Sequence, residues 1–530
     1  MDWDELTGLV DGSAMPLADN RDRVEITSVI AVTKPVDTRL FSRIEEPKCG
    51  ETMARFTLFL SPGIACLFAT LTLRPPATLR AQEPITITPD WTTPPLPIPA
   101  DYSGLSFETQ LVLPNAHGVH YFRPDNDVLV AMFKTLGIKH LRIGGNTSDN
   151  TTVAIPGKAD IDSLFAFAHA AGVKVIYSVR LKGQSDASGA IPIVKYIQEN
   201  YGGDLDCFAL GNEPSNYYKE YSTYKKVWEK LTDQIVAAVP KAVFCGPNTD
   251  RPHAWAVQFA QDFGGSGRVS EVSVHAYVGL NARDVTDVAA ARDKMLSGAW
   301  VKLYQSIGDE FIPVLADKRL RYRVEETNSF YNGGREGVSD TFAAALWALD
   351  YLHWWSRHRA SGIDFHTGDN VAAGPDSTPC RYAAYVSTVT GYDVRPVGYA
   401  IKAFDLAGHG SMIHLACQSA PDFNVTAYGE VASDNTLYIT VINKEHGPAG
   451  RDAAVTTDAG KAYLHGEVQF LANDRHDIAG KTGITLGGAP IRDDASWAGK
   501  WSPLQAPAQA GQFTITVPAA TAAIIKLTEN

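Results

Sequence analysis

Cys207-Phe-Ala-Leu-Gly-Asn-Glu-Pro214 is a short apolar run that leads straight into Asn212, Glu213 and Pro214. Short apolar runs closed by turn residues are how strands buried on both faces read. Working outward, similar segments lie at 104–110, 140–144, 173–179, 242–245, 271–277, 322–326 and 362–366, with the strand at 207–210 fourth in order. Amphipathic helical patterns fill the gaps at 125–136, 160–171, 221–238 and 340–358. Gly137 and Gly172 follow two of them as helix-ending glycines. Eight strands alternating with helices predict a (β/α)8 barrel, the α/β architecture known as the TIM barrel, over residues 101–408. An open doubly wound sheet would want a glycine-rich phosphate loop after its first strand, and Gly104-Leu-Ser-Phe-Glu108 is not one.

From residue 409 the pattern changes. Phe423-Asn-Val-Thr-Ala427, Leu437–Asn443, Gly466-Glu-Val-Gln-Phe-Leu471 and Phe513-Thr-Ile-Thr-Val517 alternate polar and apolar residues, with turn signals between them. Residues 409–530 are therefore expected to form a C-terminal β-sandwich. The alternating run Ile85-Thr-Ile-Thr-Pro89 in residues 82–100 is expected to join it, ahead of the Pro-rich connector Thr93-Pro-Pro-Leu-Pro-Ile-Pro99. Met53-Ala-Arg55, a mostly apolar stretch to Leu73 and small Ala81 read as a secretory signal peptide over 53–81, with residues 1–52 expected to be a non-native or disordered polar leader. No later stretch is apolar enough to span a membrane, so a secreted or periplasmic protein is expected, with no membrane contact once the signal is removed. Net charge is −12, which argues against a nucleic-acid partner. Cys207 and Cys245 fall in strands and read as buried thiols, and Cys380 and Cys417 are candidates for a pair. None of the cysteines has zinc-site spacing, and neither metal nor cofactor is expected.

In a barrel, the loops after the strands form the active face. Glu213 follows the fourth strand and Glu326 ends the seventh, across the mouth from it. Two carboxyl groups so placed suit glycoside hydrolysis with retention, one as acid/base and one as nucleophile, about 5–5.5 Å apart. Asn212 offers an amide to a sugar hydroxyl, and Pro214 fixes the chain beyond Glu213. Glu325 competes with Glu326, because strand alternation points only one of them into the mouth. Tyr277, after the sixth strand, can hydrogen-bond the nucleophile. His275 and His366 are further mouth candidates. Glycines in Tyr331-Asn-Gly-Gly334 allow close backbone approach and can aim N–H groups at an anion. Arg335 beside them reads as a solvated loop residue.

Leu210-Gly-Asn-Glu-Pro214 and Glu326-Thr-Asn-Ser-Phe-Tyr-Asn-Gly-Gly334 resemble the acid/base and nucleophile motifs of glycoside hydrolase family 79, which contains β-glucuronidases and heparanase. Leu141-Arg-Ile-Gly-Gly-Asn-Thr147 and Val274-His-Ala-Tyr277 resemble its second- and sixth-strand segments. The resemblance covers roughly residues 84–530. It implies that Glu213 is the acid/base, that Glu326 rather than Glu325 is the nucleophile, and that Tyr331, Gly333 and Gly334 hold a glucuronate carboxylate. It also implies sugar-hydroxyl contacts for Glu108 and Asn146, the latter where the heparanase-like pattern tends to carry a threonine. The implied activity is that of a retaining exo-β-glucuronidase acting on a glucuronic-acid-containing glycan or a glucuronide conjugate. An endo-acting heparanase-like enzyme, a neutral-sugar glycosidase of the same clan and an inactive sugar-binding protein remain open at this point.

Overall fold

The computed structural model describes residues 80–368, 380–460, 463–506 and 509–529. The leader and nearly all of the expected signal segment lie outside them. Eight parallel strands close into a barrel: Ser103–Glu108, His140–Gly144, Lys174–Val179, Leu205–Leu210, Phe244–Thr249, Val269–Tyr277, Tyr322–Asn328 and Gly362–His366, each beside the next in chain order and the last beside the first. All eight segments read from the sequence are present. The first ends sooner than expected, because Thr109–Val112 turns into a 3-10 helix. Four surrounding helices, Asp127–Leu136, Lys158–Ala171, Tyr221–Ala238 and Phe342–Arg357, overlie the expected ones. Gly137 and Gly172 end the first two in the left-handed conformation.

Alternation along the strands sorts the residues. Leu105, Leu141, Ile143, Val175, Tyr177, Phe208, Leu210, Val272, Val274, Val324, Ile363 and Phe365 belong to the large core shared with the helices. The inward positions differ from the branched aliphatic layers common in such barrels. Near the strand starts, Arg323 donates to Glu271 Oε1 (3.2 Å), Asp101 Oδ2 (3.2 Å) and Asp364 Oδ1 (3.4 Å), and His140 Nδ1 lies 2.9 Å from Asp364 Oδ1. Ile176, Cys207, Ala209 and Cys245 form a small apolar plug. Toward the strand ends the interior turns polar again.

The second β region is one eleven-stranded sheet that folds over itself. Its N-terminal strand, Gln82–Asp90, pairs antiparallel with Ser411–Gln418 and parallel with Asp452–Thr457. Leu437–Asn443, Val425–Val431, His465–Asn473 and Thr521–Thr528 make the other layer. Ile85, Ile87, Ile439, Val441, Val455 and Ile525 are packed between the layers. On the opposite face, Tyr428, Ile442, Ala522 and Ile524 join the barrel's core. Cys207 and Cys245 are buried thiols, and Cys380 and Cys417 are not joined.

Candidate active site

The fourth barrel strand delivers Glu213 through a sharp turn. Gly211 has φ +74°, and a Cβ there would lie 2.6 Å from the Tyr217 hydroxyl and 2.7 Å from Leu181, so glycine is required. Asp149 anchors the turn by accepting from Asn212 N (2.8 Å), Leu181 N (2.8 Å) and the Tyr217 hydroxyl (2.9 Å). Glu213 itself is left-handed at φ 45°, a strained setting for a non-glycine residue. Its N–H donates to Asn248 O (2.8 Å), and Pro214 then opens a 3-10 turn. Asn216 Nδ2 donates to Glu213 Oε2 at 2.8 Å, and His275 Nδ1 lies 3.1 Å from Oε1.

Glu326 comes from the seventh strand, where the ladder contains a β-bulge. Val324 pairs with Val274 on one side, yet Glu326 pairs with the next residue, His275. The eighth strand skips in the same place, from Ile363 opposite Val324 to Phe365 opposite Thr327. This corrects the expectation that only one of the two glutamates faces inward. The extra residue turns both in, with Glu326 at the mouth (6% exposed) and Glu325 fully buried (0%).

Around Glu326 the contacts converge. Tyr277 OH donates to Oε1 at 3.0 Å, and Arg142 Nη1 donates to Oε2 at 2.5 Å. His366 Nδ1 and His275 Nδ1 stand 3.9 and 4.0 Å from Oε2. Burial alone would raise the Glu326 pKa. His366, His275 and Arg142, together with the Tyr277 hydrogen bond, outweigh it and hold the carboxyl well below its ordinary range. Burial and then the charge of Glu326 push Tyr277 well above the ordinary phenol value, so it remains a donor. One oxygen of Glu213, one of Glu326 and a ring nitrogen of His275 all lie within 4.8 Å of one another.

Arg142 was not singled out from sequence. It is fully buried on the second strand, and it also donates to Asn212 Oδ1 (2.7 Å) and Ser106 Oγ (3.1 Å). The available signal was an arginine at an inward position of a strand whose outward positions are apolar. Such a charge has to meet a carboxylate inside the barrel. Tyr382 was also missed. Its buried ring sits 6.3 Å from that of Tyr277 and 6.2 Å from that of His366. It follows the last barrel strand in a stretch without strand or helix periodicity.

The remaining expected residues line the rim. Glu108 is gripped by the 3-10 turn after the second strand, accepting from Thr147 N (2.8 Å), Thr147 Oγ1 (2.6 Å) and Asn146 N (3.2 Å). Its Oε1 is 3.8 Å from His366 Nε2. Asn146 is exposed, and its Oδ1 accepts from Asn212 Nδ2 at 3.3 Å. Tyr331 is half-buried and packs edge-on against Tyr277, with centroids 6.2 Å apart. Asn332, Gly333 and Gly334 are all left-handed, at φ 63°, 79° and 81°. A Cβ on Gly334 would lie 2.9 Å from both Ser339 and Tyr382. Among the described residues, the amides of Gly333 and Gly334 meet no protein acceptor. Arg335 is half-buried beside them. A pocket lined by Thr109, Ile155, Tyr177, Arg180 and Gln184 does not include either glutamate.

A closed eight-stranded barrel with two glutamates brought together at its strand ends is the arrangement that barrel glycoside hydrolases use. No protein-family model matches the chain. In sequence it is similar to a β-glucuronidase of Aspergillus niger, 23% identical over 367 residues that cover 56% of this chain and 66% of that protein. It is also similar to a hyaluronoglucuronidase of Hirudo nipponia, 28% identical over 194 residues, 34% of this chain and 38% of that one. The chain thus spans less than two thirds of the length of these curated relatives. They support the resemblance to family 79 read from the motifs. In structure it is similar to a 4-O-α-L-rhamnosyl-β-D-glucuronidase from Fusarium oxysporum, with TM-score 0.62, 16% identity, and coverage of 83% of this chain and 100% of that one. A family 51 α-L-arabinofuranosidase from Bifidobacterium longum gives TM-score 0.61 at 14% identity, covering 84% and 99%. At these identities the structural likeness establishes the fold alone.

Proposed function

We propose that the protein is a retaining exo-β-glucuronidase that removes terminal β-linked glucuronic acid from a glycan or a small glucuronide conjugate. The observation that carries the mechanism is the approach of Glu213 and Glu326 oxygens to within 4.8 Å. Retaining enzymes hold their carboxyl groups at about 5–5.5 Å, whereas inverting enzymes leave about 6.5–9.5 Å for a water. In this reading Glu213 gives its proton to the leaving oxygen while Glu326 attacks the anomeric carbon. Glu213 then takes a proton from water, whose oxygen displaces Glu326. Arg142 and Tyr277 keep Glu326 anionic and aimed, and Asn212 presents its amide to the neighbouring sugar hydroxyl.

Two observations support glucuronate over a neutral sugar. The glucuronidase names of the sequence relatives are one. The other is the left-handed Asn332–Gly334 turn next to Tyr331, whose glycine amides have no acceptor among the described residues, a setting suited to a carboxylate. The apolar segment expected at 53–81 supports export to the periplasm or the medium.

The test is hydrolysis of aryl β-glucuronide beside aryl β-glucoside, β-galactoside and β-xyloside. A preference of about a hundredfold or more for the glucuronide is expected, since a missing charged partner leaves polar groups unpaired. Preference for a neutral sugar would remove the carboxylate role from Tyr331, Gly333 and Gly334.

A further inference from the structure

We propose that Glu325 is a positioning residue for this reaction, a buried carboxylate that holds His275 against Glu213. The acid/base is then served by a charge on the residue next to the nucleophile. The proposal rests on the glycosidase reading above. His275 Nε2 lies 3.3 Å from Glu325 Oε1, and its Nδ1 lies 3.1 Å from Glu213 Oε1, so the imidazole bridges the two carboxyl groups. Both His275 and Glu325 are fully buried.

The bulge makes the bridge possible. In a regular strand Glu325 and Glu326 would face opposite sides of the sheet, and Glu325 would meet the helices. The extra residue brings it under the mouth instead. A carboxylate without exposure is costly unless it has charged or hydrogen-bonding partners. Glu325 has three. They are His275, Arg142 Nη2 at 4.0 Å, and the Cys245 thiol, which donates to Oε2 at 3.7 Å.

The groups facing His275 are Glu213 from the fourth strand, Glu325 and Glu326 from the seventh, Arg142 from the second, and Asp250 just past the fifth. His253 Nε2 lies 3.3 Å from the His275 carbonyl. Burial works against a charge on the ring. Glu326 and the hydrogen bonds to Glu213 and Glu325 outweigh it, against opposition from Arg142, and raise the His275 pKa to about 10.

The reaction cycle assigns Glu325 its part. In the first step the Glu326–anomeric carbon bond forms, the glycosidic bond breaks, and the Glu213 proton leaves with the departing oxygen. Glu326 is then an ester without charge. Glu325 is the neighbour of His275 whose charge the chemistry does not consume. It keeps the ring a cation that donates to Glu213 while Glu213 must be a carboxylate, ready to take the proton of the attacking water.

The experiment uses the full chain and Glu325→Gln, which preserves shape and removes the charge. The ¹⁵N signals of His275, assigned by their loss in His275→Gln, are followed from about pH 6 to about pH 8, the range in which an unperturbed histidine titrates. In the wild type both nitrogens are expected to stay protonated throughout. In Glu325→Gln the ring is expected to lose its proton within that window. On an aryl β-glucuronide with a good leaving group, kcat and KM of the variant should fall together by about tenfold, with a burst of aryl release and kcat/KM nearly unchanged. A merely structural role would lower kcat/KM and give no burst, and that result overturns the proposal. A neutral His275 at pH 7 in the wild type, or an unchanged His275 titration in the variant, overturns it as well. If Glu325→Gln does not fold, Glu325→Asp, which draws the carboxylate back from His275, takes its place and is expected to lower the His275 titration, and an unchanged titration overturns the proposal. If the wild type cleaves no aryl glycoside, the exo-acting reading fails, while the histidine signals still decide the Glu325–His275 link.

Discussion

Arg142 shows how much of the site depends on one buried side chain. A single guanidinium donates to Glu326, Asn212 and Ser106, linking Glu326 to the turn that carries Glu213 and to the first strand. Removing one partner of a buried charge pair strands the other, at a cost of about 3–5 kcal/mol. Arg142→Gln is therefore expected to lower the thermal midpoint clearly. It should also lower kcat by about 10²–10³, the range seen when a preorganised donor is lost. Activity on aryl glycosides and a melting curve check both, and wild-type turnover by the variant would show that Arg142 does not hold Glu326. Glu213 and Tyr277 were legible because a polar residue at the end of an apolar strand stands out. Arg142 was hidden inside an otherwise ordinary strand, where only the alternation of inward and outward positions marks it.

At the scale of elements, the barrel strands were legible because each is a short apolar run, whereas the sheet domain was less so. Ser411–Gln418 and Asp452–Thr457, which flank the N-terminal strand, were not read as strands, and neither was Thr521–Thr528. Their small and mixed residues, such as Ala453-Ala454 and Ala522-Ala523, carry little β signal on their own. They are strands because their neighbours supply the ladder. The bulge in Tyr322–Asn328 was equally invisible, since an extra residue in a ladder leaves no mark on one strand's sequence. The turn after that strand gives a sharper test. Gly334 is left-handed and touches Ser339 and Tyr382, so Gly334→Ala must displace Tyr382 or the loop. Its KM for aryl β-glucuronide is expected to rise about tenfold, an energy of about 1.4 kcal/mol, within what a strained non-glycine costs at such a site. An unchanged KM would separate this loop from substrate binding.

At the scale of the molecule, barrel and sheet share one core, and a buried polar knot joins them. Asp350, on the helix Phe342–Arg357, accepts from Lys444 Nζ (3.0 Å), Thr426 Oγ1 (2.7 Å) and the Tyr428 and Tyr304 hydroxyls (2.8 and 3.2 Å). Asp350→Ala leaves Lys444 buried without its partner. It should cost about 3–5 kcal/mol and lower the midpoint of one joint transition, whereas two separated transitions in calorimetry would show that the parts fold independently. Alkaline stability is set at the other end of the barrel. Burial and Arg323 oppose a charge on His140, but Asp364 and Asp206 outweigh them and raise its pKa from 6.5 to about 9. A raised folded-state pKa contributes stability that is whole below about 6.5 and is lost as pH rises through about 9. That contribution is on the order of 3 kcal/mol, and His140→Gln should flatten the decline in denaturation midpoint across this window. A decline of equal slope in the variant would place its origin elsewhere. The central claim is that Glu326 forms a bond to a glucuronyl group and Glu213 resolves it. The most direct measurement is mass spectrometry after reaction with 2-deoxy-2-fluoro-β-glucuronyl fluoride, which forms the intermediate but hydrolyses it slowly. The account predicts one added fluoroglucuronyl group, on the peptide that contains Glu326. An unlabelled protein that nevertheless hydrolyses glucuronides, or a label on a different residue, would contradict it.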